Sequence, residues 1–68
     1  MGKRVPKKEK KAFAGVLKAW REERKLTQAE AARVLEIPLK TLQNWEIART
    51  KPQGFAHTAI LRFLERGR

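Results

Sequence analysis

The apolar positions of this chain recur mostly three or four residues apart, which is the spacing of an α-helix face. A first helix is predicted over about residues 11–24, where this spacing is shown by Phe13, Val16, Leu17 and Trp20. A similar pattern predicts a last helix over about residues 55–66. The apolar positions of that helix, for which the core is the expected place, are Phe55, Ala56, Ala59, Ile60, Phe63 and Leu64.

Two shorter helices between these are predicted by local signals. Thr27 and Glu30 form the S/T-x-x-E pattern of a capping box, in which each side chain bonds a backbone N–H of the other residue. A helix is therefore predicted from residue 28 to about residue 35. Pro38 disfavours helical geometry at the residue before it but is tolerated in a first turn. The next helix is therefore predicted to begin at residue 38 or 39 and to run to about residue 46.

No window alternates between apolar and polar residues with the period of two that marks a strand. The predicted fold class is therefore all-α, with four helices and a loop at residues 47–54. Six of the first eleven residues are Lys or Arg and Pro6 interrupts them, so we predict a flexible basic arm over residues 1–11 and a folded domain over residues 12–68. The arm is either a solubilising tail or a segment that lies along DNA through Lys3, Arg4, Lys7 and Lys8.

The composition narrows the classes of function. The 17 Lys and Arg residues against 7 Glu give a formal net charge of +10, which indicates a polyanionic partner: DNA, RNA or, less favourably, an anionic membrane surface. The chain has no Cys, no Asp and one His, which excludes disulfides, thiolate metal sites and most catalytic dyads. We therefore expect a protein that is not an enzyme, with no cofactor, no metal, no small-molecule substrate and no membrane partner.

Residues 28–45 satisfy the positional demands of two short helices that cross closely at a tight turn. Six positions must be apolar or small, and they hold Ala31, Ala32, Leu35, Ile37, Leu42 and Trp45. The turn position that requires a positive φ usually holds glycine. Here it holds Glu36, at a cost of about 1 kcal/mol of strain.

The segment from Leu26 to Pro52, LTQAEAARVLEIPLKTLQNWEIARTKP, resembles the phage repressor/Cro type of helix-turn-helix, the XRE-like family. It is similar to compact bacterial and phage regulators that include antitoxin-type repressors. The resemblance covers about residues 17–64 and places the helix-turn-helix unit at about residues 28–46. It implies a four-helix domain like that of the λ repressor, in which the third helix enters the major groove of DNA.

The resemblance also implies roles for individual residues. The base-reading positions are matched by Leu39, Lys40, Gln43 and Asn44, and the phosphate-contacting positions by Thr27, Gln28, Thr41, Arg49 and Lys51. Side-chain chemistry agrees for three of the first group, because Lys donates to guanine and the amides of Gln and Asn pair with adenine. Leucine is limited to packing or to contact with a thymine methyl. Pro38 stands where the family commonly has Ser or Thr, so it lacks the hydroxyl for a phosphate contact.

An ion pair and a dimer are further implications of the resemblance. Arg21 and Glu46 match a family ion pair that joins the first helix to the end of the third, and the alternative is two independent solvated charges. The last helix is the expected dimer surface, with Leu61 and Phe63 as candidates. The alternative is that both residues complete the core of a monomer. A dimer would place its two DNA half-sites about 34 Å apart.

The leading hypothesis is a sequence-specific regulator that binds double-stranded DNA, most simply a repressor that binds an inverted-repeat operator as a homodimer. Its expected location is the cytoplasm of a bacterial or phage-infected cell, in association with the nucleoid. One alternative is nonspecific DNA or RNA binding driven by charge, for which exposed amides at Gln43 and Asn44 would be unnecessary. Another is an antitoxin whose main partner is a toxin, although the sequence shows no evident toxin-binding segment.

Overall fold

The computed structural model describes residues 7–66, with side chains from residue 9 onward. Within that range four helices follow one another: α1 (Lys7–Glu23), α2 (Gln28–Leu35), α3 (Leu39–Glu46) and α4 (Gly54–Arg66). No strand occurs in residues 7–66, so the prediction of an all-α fold is confirmed. None of these helices combines the length and apolar character that crossing a bilayer requires.

The start of α1 differs from the prediction. The helix begins at Lys7 rather than near residue 11, so residues 7–11 of the predicted arm continue α1. Lys and Glu are good helix formers, and Glu9 lies in the first turn, where a negative charge favours the helix dipole. The predicted arm contacts Lys3 and Arg4 lie outside the described residues.

The core forms where α1 packs against α3 and α4, with α2 against α3. Its largest fully buried side chains are Phe13, Leu17, Leu42 and Leu64. The Trp45 ring meets the Phe13 ring edge to face, with 5.6 Å between centroids, and is only 7% exposed. Trp45 is therefore a core residue, as predicted. Because it anchors α3 from inside, the polar side chains of α3 are left on the opposite face.

The buried face of α4 also differs from the prediction. Leu64 is buried, and Ile60 and Leu61 pack partly buried against the core, whereas Phe55 is 94% exposed and Phe63 is 44% exposed. The apolar positions of α4 form a stripe wider than one neighbouring helix can cover. Packing against α1 buries one edge of the stripe and leaves Phe55, Ala56, Ala59 and Phe63 on or near the surface.

The capping box before α2 is present with both of its bonds. The Thr27 hydroxyl accepts from the Glu30 N–H at 3.1 Å, and the Glu30 carboxylate accepts from the Thr27 N–H at 2.9 Å. At the other end of α2, Glu36 adopts the left-handed conformation with φ 58°, and its N–H bonds the last turn of the helix. These local bonds fix both ends of α2 and therefore the angle at which α3 leaves it.

We expect Thr27→Ala to lower the free energy of unfolding by about 1 kcal/mol, because the first turn of α2 loses its side-chain acceptor. The measurement is urea unfolding followed by the fluorescence of the two buried tryptophans. Thr58→Ala removes the same atoms from an exposed position within α4 and is expected to change stability by less than about 0.5 kcal/mol. Equal losses in the two variants would show that the cap contributes nothing.

Candidate nucleic-acid interface

α3 presents a mixed polar face to solvent. Lys40 and Gln43 are exposed, Leu39 is 41% exposed and Asn44 is half-buried. Residues four apart on a helix are neighbours, so Leu39 lies beside Gln43 and Lys40 beside Asn44. The four predicted base-reading residues are thus brought together as two adjacent pairs. A helix that carries such a face has the dimensions that the major groove of DNA admits.

Two long side chains join α1 to the end of α3. Arg21 donates from Nε to Glu46 Oε2 at 2.6 Å and from Nη2 to Oε1 at 3.1 Å, and its Nη1 donates to the Leu26 carbonyl at 3.1 Å. The Glu46 side chain is only 4% exposed. The hydrogen bond to Glu46 raises the pKa of Arg21 above its ordinary value, so the guanidinium stays charged at every pH the protein meets. The ion pair is therefore bidentate and largely shielded from solvent.

Gln28 extends this ion pair towards the exposed face of α3. Its Nε2 donates to Glu46 Oε1 at 2.9 Å, and its Oε1 accepts from Gln43 Nε2 at 3.3 Å. The chain of contacts therefore runs from Arg21 in α1 through Glu46 and Gln28 to Gln43. Gln28 of α2 therefore braces α3 through two of its residues, Glu46 and Gln43. The bracing positions one predicted base-reading amide from the interior of the domain.

The two predicted phosphate contacts in the loop after α3, Arg49 and Lys51, differ in their exposure and in their contacts. Arg49 is exposed, and its backbone N–H is anchored to the Asn44 carbonyl at 2.9 Å. Lys51 has a side chain only 12% exposed, with its ammonium 3.3 Å from the Pro52 carbonyl and 4.0 Å from Glu9 Oε1. Arg49 is therefore free to extend towards a ligand, whereas Lys51 is engaged within the fold.

The remaining predicted contacts lie around this face. Thr41 is half-buried in α3, and Thr27 is exposed at the amino end of α2 with its hydroxyl used in the cap. Pro38 caps α3 without any side-chain hydrogen bond. The amino end of α2 and the loop at Arg49 are both joined to α3, through the contact of Gln28 with Gln43 and the bond from the Arg49 N–H to the Asn44 carbonyl.

The two candidate dimer residues differ in exposure. Phe63 is 44% exposed, and the centroid of its ring lies 6.0 Å from the centroid of the Trp20 ring. Leu61 is half-buried against the core. The exposure of Phe55 was not predicted, since its place in the apolar pattern indicated the core. Phe55, Ala59 and Phe63 are spaced four apart and form one stripe along the outside of α4. The apolar pattern of α4 is wider than one helix face, which indicates that part of it is exposed. Which edge of the pattern is exposed depends on how α4 packs against α1.

Lys10 and Lys11 fall within the predicted arm, but in the structure they belong to α1. Together with Ile47 and Ala48 they line a cleft of about 220 Å³ between α1 and the loop after α3. Ile47 is 66% exposed. No feature of the sequence relates residues 10 and 11 to residues 47 and 48, because the contact depends on how α1 crosses the end of α3.

One of three comparisons with known proteins gives a match. A family model described as helix-turn-helix matches residues 17–67, which include α2, α3, α4 and the last seven residues of α1. No curated protein matches the chain. No solved structure matches it either.

Proposed function

Because the chain belongs to the XRE-type helix-turn-helix family of DNA-binding regulators, we propose that it recognises a specific sequence in double-stranded DNA and acts as a transcriptional repressor. The observation that carries this proposal is the exposed face of α3. Gln43 there is braced through Gln28 and Glu46 from the domain interior. A protein that binds DNA only through its charge needs no positioned amide.

The side chains of this face suit the edges of bases in the major groove. Lys40 donates to O6 and N7 of guanine, and Gln43 and Asn44 each offer the donor and acceptor that match N7 and N6 of adenine. Leu39 meets the methyl group of thymine. Since Leu39 and Gln43 form one pair and Lys40 and Asn44 the other, the two pairs read neighbouring base pairs.

Backbone contacts supply affinity rather than sequence preference. Arg49 is the cation placed to bind a phosphate beside α3, because it is exposed and its backbone is anchored to α3. At the amino end of α2, the first-turn N–H groups that the capping box leaves unbonded favour a second phosphate, whereas the Gln28 amide is engaged by Glu46 and Gln43. The net charge of +10 strengthens the attraction to the duplex as a whole.

A second copy of the chain accounts for the exposed stripe on α4. Phe55, Ala59 and Phe63 present apolar surface along the helix, with the Phe55 ring 94% exposed. If two copies of the chain pack through this stripe about a two-fold axis, the stripe of each copy covers that of the other. The dimer would then present two α3 helices to half-sites about 34 Å apart, which is one turn of DNA. An inverted-repeat operator follows from that symmetry.

We expect Phe55→Ser to weaken self-association by at least about a hundredfold, because a symmetric dimer loses two phenylalanine side chains and burial of each contributes about 1.5–3 kcal/mol. Sedimentation equilibrium of the free protein measures the effect. Val34→Ser removes another exposed apolar side chain, 49% exposed on α2, and is expected to leave self-association unchanged. A wild-type protein that stays monomeric, free and on DNA, would contradict the dimer.

The experiment that tests the proposed function is selection of binding sites from random duplexes at about 0.15 M salt, the physiological ionic strength. An enriched inverted repeat is the expected result. A single enriched half-site would support base reading by α3 and contradict the dimer. Retention without enrichment, lost as salt increases, would favour nonspecific binding to DNA or RNA and overturn the proposal.

A further inference from the structure

The cleft between α1 and the loop after α3 is separate from the face of α3. Lys10 and Lys11 form one wall, and Ile47 and Ala48 form the other. The second wall is held firmly: the Ile47 N–H bonds the Gln43 carbonyl at 3.2 Å, and the Ala48 N–H bonds the Trp45 carbonyl at 3.1 Å. Ala48 has φ 61°, which turns the chain sharply out of α3 at this point. The cleft therefore has a preformed rim.

The two lysines of the cleft have no carboxylate partner within the part of the chain that the structure describes. Among the side chains that the structure describes, Glu46 pairs with Arg21 and Glu9 with Lys51, and neither lysine of the cleft forms a salt bridge. Lys11 is exposed and Lys10 half-buried. Both lysines line the cleft, so an anion bound there would be attracted by two positive charges.

The position of the cleft points to the source of the anion. Ile47 and Ala48 directly follow α3 and directly precede Arg49, the exposed cation of the same loop. Because Ile47 lies between α3 and Arg49 in the chain, a duplex in contact with both of them would pass close to Ile47. The exposed Ile47 side chain offers an apolar surface that suits the face of a deoxyribose.

We propose that Lys10, Lys11 and Ile47 bind one phosphodiester of the DNA backbone beyond the bases that α3 contacts. This inference rests on the proposed function. It assigns the first turns of α1 to the interface as a rigid phosphate clamp. The contact adds affinity and fixes the position of α1 on the duplex, and it reads no sequence.

The test compares Lys10→Gln/Lys11→Gln with wild type on the selected duplex and on an unrelated one, over a range of salt concentrations. Each phosphate contact contributes about 0.9 to the slope of log affinity against log salt. The double variant is expected to lower the magnitude of that slope by about 0.9 on both duplexes. Arg33→Gln, which removes an exposed cation from α2, is the control and is expected to leave the slope unchanged.

Ethylation of individual phosphates locates the contact. One phosphate in each half-site, outside the bases that α3 reads, is expected to block wild-type binding when ethylated and to have no effect on the double variant. An unchanged slope and ethylation pattern would overturn the clamp. A loss of thermal stability with an unchanged slope would also overturn it, because the lysines would then only balance the carboxyl end of α3.

These outcomes are separable from failure of the proposed function. If no sequence is selected, the slope on the unrelated duplex still tests the clamp, because a phosphate contact does not depend on sequence. If a sequence is selected and the slope does not change, base reading by α3 stands and the clamp is wrong.

Discussion

Replacing Glu46 with alanine is expected to lower the free energy of unfolding by about 3–5 kcal/mol, the loss typical of a buried ion pair that loses one partner. Glu46 is 4% exposed and Arg21 is 17% exposed, so the guanidinium would be left in poorly solvated surroundings. Gln28 would lose an acceptor as well. A domain of this size has a total stability of only about 3–10 kcal/mol, so the variant is expected to be partly unfolded at physiological temperature.

Urea unfolding followed by tryptophan fluorescence measures this loss, since Trp20 and Trp45 are both buried. Glu65→Ala is the matched control, because it removes an exposed carboxylate from α4 and is expected to cost less than about 0.5 kcal/mol. Glu46→Gln keeps the shape of the side chain and is expected to cost less than the alanine variant. A loss below about 1 kcal/mol for Glu46→Ala would show that the pair behaves as two solvated charges.

Gln43→Ala and Asn44→Ala are each expected to weaken binding to the selected duplex by about 1–3 kcal/mol, roughly five- to 150-fold. The physical reason is the loss of a paired donor and acceptor on the edge of one base. Binding to a duplex that lacks the site is expected to change little. Titration of both duplexes with each variant therefore measures the loss of discrimination directly.

Arg49→Ala supplies the contrast, because a phosphate contact is lost on every duplex alike. It is expected to weaken both duplexes by the same factor and to reduce the salt slope by about 1. Lys51→Ala is expected to have a smaller effect on binding, since its ammonium is engaged by Pro52 and Glu9. If all four variants lower binding to both duplexes by the same factor, α3 is not the base-reading helix.

The helix boundaries that depend on local chemistry were predictable from the sequence. The capping box of Thr27 and Glu30 marks the start of α2, and Pro38 marks the start of α3, because both act within a few residues. The positive φ of Glu36 was predicted from its place in the turn between the two short helices, and the structure confirms it with φ 58°. The Arg21–Glu46 pair was implied by the resemblance, and the structure shows its atoms in contact.

Features that depend on packing were not predictable. Phe55 and Leu64 belong to the same apolar pattern, yet one is exposed and the other buried, since contact with α1 decides which edge of α4 is covered. The contact between Glu9 and Lys51 joins residues 42 positions apart and takes Lys51 out of the expected set of free cations. The same crossing brings Lys10 and Lys11 to Ile47.

The central claim is that the amides of Gln43 and Asn44 read base edges, and their own NMR signals test it most directly. The chain has only four side-chain amides, at Gln28, Gln43, Asn44 and Gln53, so their resonances can be assigned individually. On addition of the selected duplex, the side-chain signals of Gln43 and Asn44 are expected to shift strongly, and an unrelated duplex of equal length is expected to move them little. Unchanged signals, or equal shifts with both duplexes, would contradict base reading by α3.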